Sequence, residues 1–390
     1  MTKQSIEPTS DAAAIKANCA IVHDWFPVVS GGERVVQEMI RACPNSAVYT
    51  LFDFLSEQER LEILSGRPLT VSGLNRLPGV RHYYRSLLLA CTREIEKFDL
   101  SDHDVVLSSA AALAKGVITS PDQTHFAYVH SPARYAWDLT HEYIGGIGGI
   151  FGPVKRLIAQ EMMHRFRKWD ARTPNMVDHF IANSHFIKRR IWKVYRRDAE
   201  VIYPPVDVDR FVVADKPRED YFLFASRLVP YKRAPMVAQA FSQRPGLKLR
   251  IVGDGPELAA VKAEAGPNIE VLGHVPHDEL VRQMQGARGF VFAALEDFGI
   301  APVEAQACGT PVIALGAGGT AETVRPLGQE RPTGVWFEEQ TVKSLLEAVD
   351  VFEANEAVFT PADCRANALS FSSGRFRNEL ASFISDRIET

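Results

Sequence analysis

The sequence predicts an α/β protein built on two parallel sheets. Short apolar runs rich in Val, Ile and Phe alternate with longer amphipathic segments along the whole chain. This is the pattern of strands buried on both faces beneath covering helices. The alternation pauses once, over Ile202–Phe211, where Pro204 and Pro205 disfavour a helix and stiffen an extended crossing. No self-similar period of repeat length is present, which excludes a solenoid.

Taken in order, the expected strands before the pause are Cys19–Val22, Ala47–Leu51, Asp104–Leu107, His125–Val129 and His179–Ala182. After it come Tyr221–Ala225, Leu247–Val252, Ile269–Leu272, Gly289–Phe292 and Pro311–Ala314. The pause sets a domain boundary, giving one domain over residues 18–204 and another over residues 205–371. From Phe371 the periodicity becomes helical, with Ser372 or Ser373 as a cap. A helix over about residues 372–390 is expected to pack back on the first domain. Residues 1–17 are polar, contain Pro8 and lack the apolar stretch of a signal peptide, so a disordered tail is expected.

Composition narrows the class. A chain of 390 residues with 46% apolar and 24% charged side chains is an ordinary globular protein, not a collagen-like, coiled-coil or disordered one. The net charge of −4 argues against a protein that holds nucleic acid by bulk positive charge. The charge is uneven: residues 1–195 carry 23 basic and 20 acidic side chains, and residues 196–390 carry 21 and 28. An anionic surface would therefore meet the first half. Cys19, Cys43, Cys91, Cys308 and Cys364 form no CxxC pair. They read as buried hydrophobes in a reducing, cytoplasmic compartment. No stretch is long and apolar enough to span a membrane.

Three clusters carry candidate chemistry. Gly31 and Gly32 follow the first expected strand and precede an amphipathic segment, Glu33–Ala42. Adjacent glycines suit either a tight turn needing positive φ or close approach of an anion to a helix start. Arg227 and Lys232 follow the first strand after the pause, at the end of a parallel sheet where ligands bind. Two fixed cations fit a diphosphate, although such a pair is also common as solvated loop charge. Glu296 follows a later strand, with Glu304 eight residues on in a short helix expected between Pro302 and Gly309. Two carboxylates there suit a polyhydroxylated ligand, and the intervening loop would aim N–H groups at a phosphate.

Together with His130, Ser226, Gly253–Pro256 and Ala307–Pro311, these residues resemble glycosyltransferase family four, a retaining group with the GT-B fold, in which two Rossmann-like domains face each other across a cleft. The segment His130–Asp138 is similar to bacterial mannosyltransferases of surface-polysaccharide (lipopolysaccharide-type) biosynthesis. The resemblance implies an acceptor-binding first domain and a nucleotide-sugar-binding second domain. It implies that Arg227 and Lys232 hold the diphosphate, that Glu304 binds ribose, and that Glu296 with the backbone of Phe298, Gly299 and Ile300 holds the sugar. Gly31 and Gly32 would face the diphosphate, Gly253 would line the donor site, and the backbone around His274 would lie near the nucleobase. His130 would sit beside the transferred sugar; without that context it reads as a satisfied core histidine.

The expected reaction is hexosyl transfer, mannose from GDP-mannose, onto a glycan such as a polyprenyl-diphosphate-linked oligosaccharide. A UDP-sugar donor such as UDP-glucose is the nearest alternative, and a non-catalytic nucleotide-sugar-binding module a distant one. A dinucleotide oxidoreductase would need a G-x-G-x-x-G after a strand, which is absent. No cofactor or metal is expected, because Asp102–Asp104 and Asp207–Asp209 read as turn chemistry. Two basic, aromatic stretches, Leu74–Leu89 with Arg76, Arg81 and Arg85, and Lys155–Trp169, read either as ordinary surface helices or as contacts with an anionic membrane. The enzyme would then be peripheral on the inner face of the plasma membrane. The run Gly145–Gly152 reads as a mobile apolar loop at the acceptor mouth.

Overall fold

Each of the expected apolar runs contains a strand in the computed structural model, which describes residues 14–146, 148–149 and 152–388. The first unit comprises the described residues up to Asn183, Ile187–Ile202, and those from Gly374 onward. Its sheet contains β1 (Cys19–His23), β2 (Ser46–Thr50), β3 (Leu69–Val71), β4 (Val105–Ala110), β5 (Thr124–Val129), β6 (His179–Ala182) and β7 (Glu200–Val201). All pairings are parallel, in the order β3-β2-β1-β4-β5-β6-β7. The short edge strands β3 and β7 carry no periodicity that a sequence reading can detect.

The second unit comprises Ser184–Phe186 and Tyr203–Ser373. Its sheet contains β8 (Phe222–Ala225), β9 (Leu249–Val252), β10 (Ile269–Gly273), β11 (Gly289–Phe292), β12 (Val312–Leu315) and β13 (Gly334–Phe337). These are also parallel, ordered β10-β9-β8-β11-β12-β13. β13 was not among the strands expected from the sequence, although it opens on glycine followed by apolar residues as β11 does. Gly334 is required there, since a Cβ would stand 1.9 Å from the Val312 carbonyl oxygen.

In both sheets the strand order reverses beside the first strand, between β1 and β4 and between β8 and β11. The connections leave these neighbours in opposite directions, so a crevice opens at their C-terminal ends. The helix Gly31–Ala42 covers the first sheet with Val35, Val36, Met39 and Ile40, a stripe at helical spacing.

Three expectations change. Ile15 is fully buried in the core around Ile21 and Val36, and its N–H donates to the Ala42 carbonyl, so order begins before Cys19; residues 1–13 lie outside the described residues. Leu74–Leu89 is not one helix but short 3₁₀ turns over Gly73–Arg76, Val80–His82 and Tyr84–Leu87, with an α-helix only from Leu88. Gly79, at φ +66° after Pro78, interrupts it. Tyr84 turns inward while Arg76, Arg81 and Arg85 stay exposed. Of the Gly145–Gly152 run, Ile147, Ile150 and Phe151 lie outside the described residues.

The helix Ser373–Ile388 places Phe376, Leu380, Ala381 and Ile384 in the first unit's core, beside Leu107 and Phe126. The change of unit falls at residues 202/203, two before the expected boundary. All five cysteines are buried and unbridged. Among the described residues no helix is long and apolar enough to cross a membrane.

A buried ion pair organises the opposite side of the first sheet. Lys115 and Asp170 are both withdrawn from water and paired. The Lys115 ammonium also donates to the Ala112 carbonyl at 3.2 Å. The Trp137 indole and the Tyr195 hydroxyl donate to Asp170 at 2.7 and 3.1 Å. Four segments thus meet at one carboxylate, which anchors the helix Gly152–Arg172.

Candidate active site

In the second unit the loops after β8 and β11 meet at the reversal point. Lys232, in the loop after β8, forms an ion pair with Glu296, in the loop after β11. Both side chains are largely buried, and the Lys232 ammonium stands 5.1 Å from the Phe292 ring centre and 5.3 Å from that of Tyr231. Arg227 is exposed at the same sheet end. A cation and a carboxylate are thereby held in contact at the place where α/β sheets take ligands.

Glycines hold both loops by close backbone packing. Gly253 (φ +139°) lies so close to the Ser226 carbonyl that a Cβ would stand 1.8 Å from its oxygen. The Leu228 N–H then donates to Asp254 O at 2.9 Å. Gly253 therefore shapes the loop carrying Arg227 and Lys232, a role that the reading of it as a ligand contact did not anticipate. Gly318 and Gly319 do the same for Glu296: their Cβ atoms would fall 2.4 Å from Glu296 O and 2.2 Å from the Phe298 Cα. The Gly319 N–H donates to Glu296 O at 2.8 Å.

Gly253→Ala is therefore expected to displace the cation loop. The second unit should lose about 1–3 kcal/mol of stability, the strain of one forced backbone position. Urea unfolding checks this, and wild-type stability would show that the loop tolerates the side chain.

Phe298 is buried. Gly299 (φ +89°) caps the helix Ile300–Ala307 without a side-chain hydrogen bond, so no side chain of the capping residue occupies the helix-start N–H groups. Glu304 lies on this helix. Burial, and then the charge of Asp207, push its carboxyl up to about 7 against the opposing effect of Arg210. His274 is exposed just past β10, after Gly273 in the left-handed region, and the Gly253 N–H donates to Gly273 O. Arg227, Lys232, Gly253, His274, Glu296 and Gly299 thus all follow C-terminal strand ends of one sheet.

In the first unit, Gly31 and Gly32 open the helix Gly31–Ala42 and neither has positive φ, so the tight-turn alternative does not hold. A Cβ on Gly32 would lie 3.7 Å from the His23 ring. The Ser30 N–H and hydroxyl both donate to Glu33, at 3.0 and 2.6 Å. His130, just past β5, is hydrogen-bonded through Nε2 to Ser109 Oγ at 2.8 Å, and Asn183 donates to its carbonyl. Asp24, buried just past β1, accepts four backbone N–H groups from Ala111 to Ala114.

Sequence reasoning missed His23, Ser109, Glu33, Gly318, Gly319 and Glu322. The paired glycines after β12 repeat the signal read at Gly31 and Gly32 and were legible by the same argument. Glu322 accepts the N–H groups of His185 and Phe186, both at 2.8 Å, and no motif marks it. Among the described residues no group of three or more His, Cys, Asp or Glu side chains is placed to hold a metal ion.

Comparison with known proteins follows this division of the chain. The family model described as Glycosyltransferase Family 4 matches residues 29–210, and that of Glycosyl transferases group 1 matches residues 206–370. A D-inositol 3-phosphate glycosyltransferase of Mycobacterium sp. (strain KMS) is 30% identical over 173 residues, 38% of this chain and 39% of that protein. A GDP-mannose-dependent monoacylated alpha-(1-6)-phosphatidylinositol monomannoside mannosyltransferase of Corynebacterium glutamicum is 34% identical over 137 residues, 31% of this chain and 35% of that one. The chain thus spans about two fifths of the length of the curated relatives it matches. Anabaena Alr3699/HepE, solved with UDP, superposes with a TM-score of 0.68 at 16% identity, covering 95% of this chain and all of that one. A glycosyltransferase from Rickettsia africae gives 0.63 at 15% identity, covering 96% of this chain and 100% of that chain. At these identities the superpositions establish the fold, GT-B. With one family model on each parallel-sheet unit, together running from residue 29 to residue 370, the chain belongs to glycosyltransferase family four.

Proposed function

We propose that the protein transfers a hexose from a nucleoside diphosphate with retention, and that the donor is GDP-mannose. The observation that carries this is the Lys232–Glu296 contact at the reversal point of the second sheet. Departure of the nucleoside diphosphate leaves negative charge on the β-phosphate. Lys232 and Arg227 stabilise that charge, and the open helix start at Ile300 adds N–H groups. Glu296, released from Lys232 as the phosphate arrives, accepts from sugar hydroxyls, and Glu304 accepts from ribose. His130 acts on the transferred sugar. GDP-mannose is favoured by the partial match to the Corynebacterium enzyme named for that donor. UDP-glucose is the second reading, because Anabaena Alr3699/HepE was solved with it.

A donor screen scoring nucleotide-sugar turnover tests the proposal. GDP-mannose should be consumed, and nothing turned over would overturn the reading. Because burial pushes the Glu304 carboxyl up to about 7 and ribose hydroxyls donate more strongly to its charged form, nucleotide should bind more tightly at pH 8 than at pH 6. Glu304→Gln should remove that difference. Fixed cations serve the diphosphate, so turnover should survive excess EDTA; loss restored by Mg²⁺ or Mn²⁺ would assign that role to a metal.

The acceptor we favour is a glycan on a polyprenyl diphosphate, reached from the cytoplasmic face of an anionic membrane. Arg76, Arg81 and Arg85 are exposed on the first unit. The helix Gly152–Arg172 exposes Val154, Leu157 and Ile158 beside Lys155 and Arg156, and Leu89 lines a shallow pocket with Leu157 and Ile158. Basic and apolar groups on one surface suit an anionic bilayer. Replacing the three arginines with Ser should weaken vesicle binding by about 3 kcal/mol, at about 1 kcal/mol each. Sedimentation at low salt checks it, and wild-type protein left in the supernatant would exclude such a surface.

A further inference from the structure

Two buried titratable side chains of the first unit, His23 and Glu33, have no part in the reaction as proposed. His23 ends β1 at the reversal point and is almost fully buried. Its Nδ1 lies 3.2 Å from the Ser109 carbonyl oxygen and 3.1 Å from Ser109 Oγ. Its Nε2 faces Glu33 Oε1 at 3.9 Å. Ser109 Oγ lies in turn 2.8 Å from His130 Nε2.

The proton positions follow from what each atom can do. A carbonyl oxygen only accepts, so His23 Nδ1 carries a hydrogen and donates to Ser109 O and Oγ. The hydroxyl has one hydrogen to give, and of its two ring partners, His23 Nδ1–H and His130 Nε2, only Nε2 can take it. That nitrogen therefore accepts, and the His130 proton resides on Nδ1. On the far side, burial raises the Glu33 carboxyl, but His23 and Ser30 together outweigh it and hold it below its ordinary value. The groups facing His130 are then His23, Glu33 and the Tyr128 ring. Burial first, and the His23 charge second, bring His130 down to about 3 against the pull of Glu33.

We infer that His23 and Ser109 are positioning residues: the chain Glu33–His23–Ser109–His130 fixes His130 in the Nδ1–H tautomer, so that the hydrogen on Nδ1 is the one it offers to substrate. His130 works as a neutral donor and not as a general acid. The inference rests on the reading that His130 acts on the transferred sugar, and the two are separable by experiment.

Nitrogen NMR of the full chain with ¹⁵N-labelled imidazoles reads the tautomer directly. His130 should show an unprotonated Nε2 and a protonated Nδ1, unchanged from pH 6 to pH 8. Ser109→Ala removes one oxygen and should abolish the fixed pattern. It should also lower kcat about tenfold at unchanged KM for the nucleotide sugar, the loss of one hydrogen bond. Ser109→Thr, which keeps the hydroxyl, should restore both, and His23→Gln should raise the pH at which His130 titrates. A protonated Nε2 in the wild type, or a pattern indifferent to Ser109→Ala, would overturn the relay. If the NMR pattern holds but His130→Ala turns over at the wild-type rate, the relay exists and its role in the reaction is overturned.

Discussion

If the protein transfers a hexose as proposed, Lys232→Ala is expected to lower turnover by on the order of 10²–10³, the effect of losing one donor to a developing oxyanion. Two causes act together. The proposed diphosphate loses a fixed charge, and the largely buried Glu296 carboxylate loses its partner. Lys232→Arg should not rescue it, since a planar guanidinium does not replace a point charge held 5.1 Å from the Phe292 ring centre. Arg227→Ala should fall in the same range, but through the phosphate alone, because Arg227 is exposed. Steady-state kinetics decide the matter. Equal loss in kcat and kcat/KM marks an interaction made in the transition state. Unchanged turnover in both variants would remove these residues from the reaction. The double variant Lys232→Ala with Glu296→Ala should lose less than the two single losses combined, because the pair is one unit.

The largest expected effect on stability lies far from that site. Asp170→Ala leaves the Lys115 ammonium buried without its counter-charge and deprives the Trp137 and Tyr195 donors of an acceptor. Breaking such a pair from one side costs about 3–5 kcal/mol. The first unit's unfolding transition in urea should move accordingly, with little change in the second unit's. Lys115→Met combined with Asp170→Leu should recover much of the loss, since removing both charges leaves neither stranded. A shift below about 1 kcal/mol for Asp170→Ala would mean that water reaches the pair.

Parallel strands buried on both faces announce themselves as apolar runs, so the two sheets were legible in the sequence. The two-residue β7 was not, because it is too short to carry that signal, whereas β13 has an apolar run, Val335–Phe337, of the same kind as β11 and was legible by the same argument. At the site, Lys232 and Glu296 were found by position after strands, but nothing in their spacing foretold that they touch. His23 and Ser109 escaped because each looks like an ordinary strand residue. Only the parallel pairing of β1 with β4, which registers His23 with Ser109, brings them together. The basic and aromatic residues of Leu74–Leu89 mimic an amphipathic helix, but Pro78 and Gly79 break it.

The helix Ser373–Ile388 has a consequence for biosynthesis. The first unit's core includes Phe376, Leu380 and Ile384, which leave the ribosome only after the whole second unit has been made. At about 5–20 residues per second, that delay lasts on the order of ten seconds or more. Throughout it the surface of the first sheet that receives this helix, including Phe126 and Tyr128, has no cover from it. The nascent chain thus carries an open apolar face while its second unit, contiguous from Tyr203 to Ser373 apart from Ser184–Phe186, is free to fold first. A message truncated before Gly374 would yield a protein whose second unit is whole and whose first is permanently unfinished, a substrate for chaperones and proteases.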